Sequence, residues 1–218
     1  MASRLAQGGQ MILVETKVSY DRKAPNAKVA NAKSALFRGY VYRHTMMWGS
    51  DGLRVLPIEL WSEFAEGVDR FQDNLSEFCS VAVHYLPYPD RKPYTDQPDL
   101  FEATKDELRR RTNIMYTDVC HRLGLVLDDL NEALKSEYAG EESKRGRLYQ
   151  STLTGLTNEV RLFRAFNDAA FKNDTLTKIL DGLEKFSGME VDALRKKSDV
   201  RREAWQRSID LLNLLSKA

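Results

Sequence analysis

The chain has 218 residues, with 33 Lys+Arg against 32 Asp+Glu, 42% hydrophobic and 30% charged residues, and a mean hydropathy of −0.50. This is too apolar for a disordered chain and too charged for a membrane-embedded one, and no apolar run reaches the roughly 18 residues that a bilayer span needs. Two cysteines, Cys79 and Cys120, exclude a disulfide framework in a chain of this length and fit a reducing compartment.

Residues 1–10 carry no apolar signal-peptide core and read as a flexible leader, which fits a cytoplasmic protein. Residues 11–20, MILVETKVSY, alternate and are rich in β-formers, so a strand is expected. DRKAPNAK follows as a turn or loop. Residues 35–48 are ambiguous: Tyr40, Tyr42 and His44 alternate as in a strand, whereas NAKVANAKSALF suits a helix start. GSDG at 49–52 marks a turn.

From Pro57, a residue suited to the first helical position, a seam of Trp61, Phe64, Val68, Phe71, Leu75, Phe78 and Ala82 recurs at spacings of 3 and 4. A heptad helix of about 40 Å ending near His84 is expected. A proline-rich linker occupies 85–99. A second helix is expected over 100–137, with Tyr116, Val119, Leu123, Val126, Leu130 and Ala133 inward. YAGEESKRG at 138–146 reads as a loop. The third helix spans about 147–171, with Tyr149, Leu153, Leu156, Val160, Phe163, Asn167 and Ala170 as its seam. Asn173 or Asp174 caps a shorter helix that breaks at Ser187-Gly188. A last helix spans about 190–216, with Val191, Leu194, Trp205, Ile209, Leu212 and Leu215 inward.

All six prolines precede residue 99. The proline-free remainder, rich in Leu, Glu, Lys and Arg, is therefore expected to be helical. The fold expected is mainly α: long antiparallel heptad-patterned helices, as a bundle or as hairpins, with a small N-terminal β or mixed element. Its domains are the leader at 1–10, a basic β/mixed element at 11–56 and a helical bundle at 57–218. Charge is partitioned as well. Residues 1–50 hold eight cations against Glu15 and Asp21, and the rest of the chain is net acidic. Near-neutrality is a cancellation, compatible with association between unlike ends.

The sequence carries no GxGxxG, HExxH or GxSxG motif. GEESKRGR at 140–147 departs from a phosphate loop in its glycine spacing, its missing Lys-Ser/Thr and its lack of a preceding strand. Cys79, His84, Cys120 and His121 fit no standard zinc spacing, and buried thiols are the simpler reading. Asp128, Asp129, Glu132, Glu141 and Glu142 read as solvated helix surface. No catalytic residue, metal or cofactor is assigned. The basic residues are the candidate binding set for nucleic acid or a protein partner. They are Arg38 and Arg43, the cluster Arg109, Arg110 and Arg111, and a stripe of Arg195, Lys196, Lys197, Arg201 and Arg202. The competing reading is helix surface laced by i,i+4 ion pairs.

Two stretches, DGLRVLPIELWSEFAEGVDRFQDNLSEFCS (51–80) and STLTGLTNEVRLFRAFNDAAFKNDTLTKILDGLEKF with VDALRKKSDVR (151–201), carry a resemblance. Gly52, Arg54, Leu56 and Pro57 form one part of the pattern. Asn158, Asn167, Asp174 and Leu176, then Leu194-Arg195, form the rest. Together they resemble a domain-of-unknown-function family of tailed phages and conjugative elements, often encoded beside an AAA+ ATPase of the CobS/MoxR type and a von Willebrand-type partner. The resemblance implies an accessory or adaptor protein in a bacterial host cell, with an AAA+ ATPase as partner and a role in DNA metabolism, while the seams and the absence of a catalytic constellation point to a non-enzymatic protein acting through protein contacts. The seams add an expectation of a homo-oligomer. The alternative is a nucleic-acid-binding module using the basic N-terminal region and the stripe of the last helix.

Overall fold

Met11–Val18 forms strand β1, and Ala27–His44 forms helix α1. Strands β2 (Met46–Met47) and β3 (Arg54–Pro57) follow, then a 3-10 turn at Ile58–Leu60 and helix α2 (Trp61–Leu75). After strand β4 (Cys79–Tyr85) the chain is helical: α3 (Pro98–Leu134), α4 (Gln150–Phe166) continued by a π-turn (Asn167–Phe171), α5 (Asp174–Ser187), α6 (Val191–Lys196) and α7 (Ser198–Leu215). The computed structural model describes residues 11–18, 27–49, 53–75, 79–85, 98–135, 148 and 150–218. The expected leader, the middle of the proline-rich linker, the 138–146 loop, Phe78 and Tyr149 lie outside these residues. The fold is mainly helical with a small antiparallel sheet, as the sequence predicts. It divides into two compact units, Met1–Asp118 and Val119–Ala218, with the division falling inside α3.

The sheet of the first unit has the order β2-β3-β1-β4, with every pairing antiparallel. β1 is central. Ile12 faces Leu56 on one side and Tyr85 on the other. Met11, Ile12 and Val14 are buried and Leu13 half-buried, so the first four residues of this strand are sequestered together rather than on alternate positions, and Glu15 is exposed. β2 and β3 close on each other through Trp48 N–H donating to the Leu53 carbonyl at 2.9 Å. Gly49 in this turn is buried with φ 152°, a backbone that a side chain would strain.

The 35–48 ambiguity resolves as a helix to His44, followed by the short strand Met46–Met47. Ala30, Ser34, Phe37 and Val41 are buried at spacings of 4, 3 and 4. The heptad helix expected from Pro57 to about His84, by contrast, spans Trp61–Leu75, and Cys79–Tyr85 is a strand. The four-residue step from Phe78 to Ala82 is shared by the helical and the strand period, so the seam could not separate the two. CSVAVHY pairs with β1 at seven successive positions, and that ladder decides the segment. The sheet consequently extends past the division expected at residue 56. Pro57 ends β3 and caps the 3-10 turn instead of opening the long helix. Of the α2 seam, Phe64 and Val68 are buried, and Trp61 and Phe71 half-buried. The side chain of Leu75 lies outside the described residues.

In α3 the buried row is Met115, Val119, Leu123, Leu127, Leu130 and Leu134, while Tyr116, Val126 and Ala133 are half-buried. The row follows the 3.6-residue period of a straight helix, which drifts from a heptad by about 20° per repeat. The α4 seam is as expected: Leu153, Leu156, Val160, Phe163, Asn167 and Ala170 are all buried. Each fully buried Leu or Phe here contributes on the order of 1.5–3 kcal/mol.

The turn from α4 to α5 is built by asparagines. Lys172 N–H reaches back to the Asn167 carbonyl at 2.6 Å, closing a π-turn, and Lys172 adopts φ 49°. Asn167 Oδ1 accepts from Asn173 N–H at 2.9 Å, and its Nδ2 donates to Thr177 Oγ1 at 2.9 Å. Asn173 Oδ1 then accepts from the Thr175 and Leu176 N–H groups, capping α5 as expected. The break at Ser187-Gly188 also stands.

The last helix is in fact two, separated by the extended Lys197 (φ −107°, ψ 109°). That break resets the phase. In α7 the buried positions are Arg201, Ala204, Ser208 and Leu211, with Trp205, Ile209, Leu212 and Leu215 half-buried. Gly182 of α5 admits Leu211, since a Cβ there would lie 2.6 Å from Leu211 Cδ2. Among the described residues no helix is long and apolar enough to cross a membrane.

Candidate functional site

The basic residues singled out by the sequence fall into two groups. Most are engaged by their own unit. In α3, Arg109 donates to Asp106 at 2.8 Å, and Arg110 forks onto both oxygens of Glu107 at 2.7 and 2.8 Å. Arg111 donates to Glu107 at 2.7 Å and to the Trp48 carbonyl at 3.1 Å. Hydrogen bonds from Arg110 and Arg111 hold the Glu107 carboxyl down at about 2. These three arginines form the ion-pair lacing that competed with a phosphate-binding reading.

The 195–202 stripe is not a single face. Lys197 breaks the helix, and Arg201 is 5% exposed. Its Nε donates to the Leu134 carbonyl at 3.0 Å and its Nη2 to the Ala133 carbonyl at 2.8 Å, so it closes the C-terminus of α3. The guanidinium of Arg195 holds the Leu148 carbonyl through Nε at 3.0 Å and through Nη2. Lys196 pairs with Asp192 at 3.3 Å, and Lys197 and Arg202 are exposed.

Arg38 and Arg43 lie on a different helix. They are exposed on α1, which also carries Lys28 and Lys33 and contains no Asp or Glu. Val29, Ala32, Leu36, Gly39 and Arg43 recur at spacings of 3, 4, 3 and 4 and so share the face opposite Ala30, Phe37 and Val41. Val29 is 57% and Leu36 65% exposed. A Cβ on Gly39 would meet nothing within 4 Å, so packing inside the chain does not require glycine there.

The inward side of α1 is fixed by aromatics. Phe37 meets Phe71 edge-on at 5.8 Å, and Tyr40 stacks on Phe64 at 5.7 Å. The Tyr40 hydroxyl donates to the Phe64 carbonyl at 3.0 Å. Gly67 leaves room for this ring, because a Cβ there would fall 1.9 Å from the Tyr40 hydroxyl oxygen. Burial, and secondarily the nearby Glu63 carboxylate, push the Tyr40 phenol above its usual value. The outward side of the next segment is mainly acidic: Glu59, Glu63, Glu66 and Asp69 are exposed beside the cation Arg70, with Ile58 44% exposed at its start.

Sequence reasoning missed a buried polar node in the same unit. Arg54 Nε donates to Thr45 Oγ1 at 2.6 Å and Nη2 to the Thr45 carbonyl at 2.8 Å. Asp118 lies 3.8 Å from that guanidinium and accepts from the Met47 N–H at 2.9 Å. Arg54 also covers the Tyr42 ring at 4.9 Å. In the second unit Arg122, buried, pairs with Glu159 at 3.1 Å, and Arg164 donates to both Asp181 and Glu184. These partners are 9 to 71 residues apart, so local spacing held no signal for them.

Cys120 is half-buried and His121 exposed, while the side chains of Cys79 and His84 lie outside the described residues. Among the described residues no three His, Cys, Asp or Glu side chains gather as a metal site. Asp128, Asp129 and Glu132 are exposed, as expected of solvated surface.

No family model, curated protein or solved structure matches the chain.

Proposed function

We propose that this chain is a non-enzymatic accessory protein that works through protein–protein contacts and self-associates. In the setting implied by its sequence resemblance, it serves a phage or mobile-element process such as DNA metabolism, with a CobS/MoxR-type AAA+ ATPase as a further partner. The observation that carries the reading is the outward face of α1, where aliphatic Val29 and Leu36 stand in solvent among cations. Aliphatic groups gain nothing from phosphate, whereas their burial against another protein is favourable. Light scattering over a concentration series tests it. The apparent mass is expected to rise above 25.0 kDa with concentration. A mass fixed at the monomer value, with no partner retained from infected cells, contradicts the reading.

A second reading rests on the charge of the same helix. Lys28, Lys33, Arg38 and Arg43 without an acid suit a polyanion, and nucleic acid bound there would weaken steeply with salt.

A further inference from the structure

We infer that the outward face of α1 in one copy docks on the mainly acidic outward face of residues 58–70 in a second copy, head to tail. This rests on the self-association reading and names its two surfaces. The charges are opposite in sign: the outward face of α1 carries Lys28 and Arg43, with Lys33 and Arg38 on its flanks and no acid, whereas the outward face of residues 58–70 carries Glu59, Glu63, Glu66 and Asp69 against the single cation Arg70. Each face also carries exposed apolar surface, Val29 and Leu36 on one and Ile58 on the other. Within one copy, α1 and α2 meet through Phe37, Tyr40, Phe64 and Phe71, which leaves the two charged faces turned outward. Gly39, unneeded by the chain's own packing, lets a facing helix come close at the middle of the cationic face.

Because the two surfaces differ, the contact is heterologous. A dimer formed this way retains one unused surface of each kind, one on each copy, so assembly continues past a dimer as a ring or a filament. The attraction is between exposed charges and weakens as salt rises from about 0.1 M to about 1 M.

Two charge-reversed chains test this, with Lys28→Glu plus Arg43→Glu in one and Glu63→Lys plus Glu66→Lys in the other. All four side chains are exposed, and far-UV circular dichroism checks each fold. Each variant alone should associate at least about tenfold more weakly than wild type, as expected when charges at an interface are made alike. An equimolar mixture should regain association, because each reversed face then meets an oppositely charged one. Wild-type oligomers unaffected by either reversal would overturn the assigned surface and leave self-association standing. A wild type monomeric throughout would overturn both. A third result would also overturn the inference: Lys28→Glu with Arg43→Glu abolishing capture of a labelled single-stranded oligonucleotide while leaving oligomerisation intact. That would assign the face to nucleic acid.

Discussion

Replacing Arg201 by Met should destabilise the second unit by about 3 kcal/mol, the lower end of what two hydrogen bonds from a charged donor contribute. The side chain is 5% exposed, and its bonds to the Leu134 and Ala133 carbonyls are 3.0 and 2.8 Å long. Those carbonyls end α3 and have no further turn to accept them. Met keeps the apolar stem but offers no donor, and it removes a cation from the negative end of the helix dipole. The lower end applies because water can reach part of the vacated site. Arg201→Lys should lose roughly half as much, since an ammonium cannot fork across two carbonyls. Arg202→Met, at the exposed neighbour, should stay within about 0.5 kcal/mol of wild type. Urea denaturation followed by circular dichroism ranks the three. An Arg201→Met chain as stable as Arg202→Met would refute the structural role assigned to Arg201.

Two glycines should respond in opposite directions. Gly39→Ala should raise stability by about 1 kcal/mol from helix propensity alone, because its Cβ meets nothing, and should weaken self-association. Gly67→Ala should lower stability by about 1–3 kcal/mol through overpacking against Tyr40. Thermal melts separate these outcomes. Asn173→Ala should cost about 1 kcal/mol through loss of the α5 cap, measured by the same denaturation. In a spectroscopic alkaline titration, Tyr40→Phe should remove a component that ionises above the ordinary tyrosine value. Its raised phenol sets the sign of the linkage. The contribution of Tyr40 to stability is complete below the ordinary tyrosine value and is lost as pH rises through the higher folded one.

How far the sequence carried depended on how local the determinant was. Proline confinement, the α4 seam and the Asn173 cap are written within a few residues, and each was legible. The Asn167 position was read as inward for its spacing alone; its amide is in fact committed to the turn that follows. The strand at Cys79–Tyr85 was not legible because its partner, β1, is more than 60 residues away. For the same reason the basic stripe misled: clustering in sequence gave no sign that Arg201 and Arg195 reach carbonyls 67 and 47 residues distant. On α1 the residue types were visible, but the strand-or-helix ambiguity hid which of them share a face. Only the helical register separates the buried Phe37 and Val41 from the exposed Val29, Leu36 and Arg43.

The most direct test of the α1 face as a protein-contact surface is sedimentation equilibrium of the wild type beside Leu36→Asp, from micromolar to millimolar concentration. Leu36 is 65% exposed, so the substitution leaves the fold of a single copy intact. The wild type is predicted to climb above 25.0 kDa while the variant stays at it. Identical curves for the two chains, whether both climbing or both flat, would contradict the account.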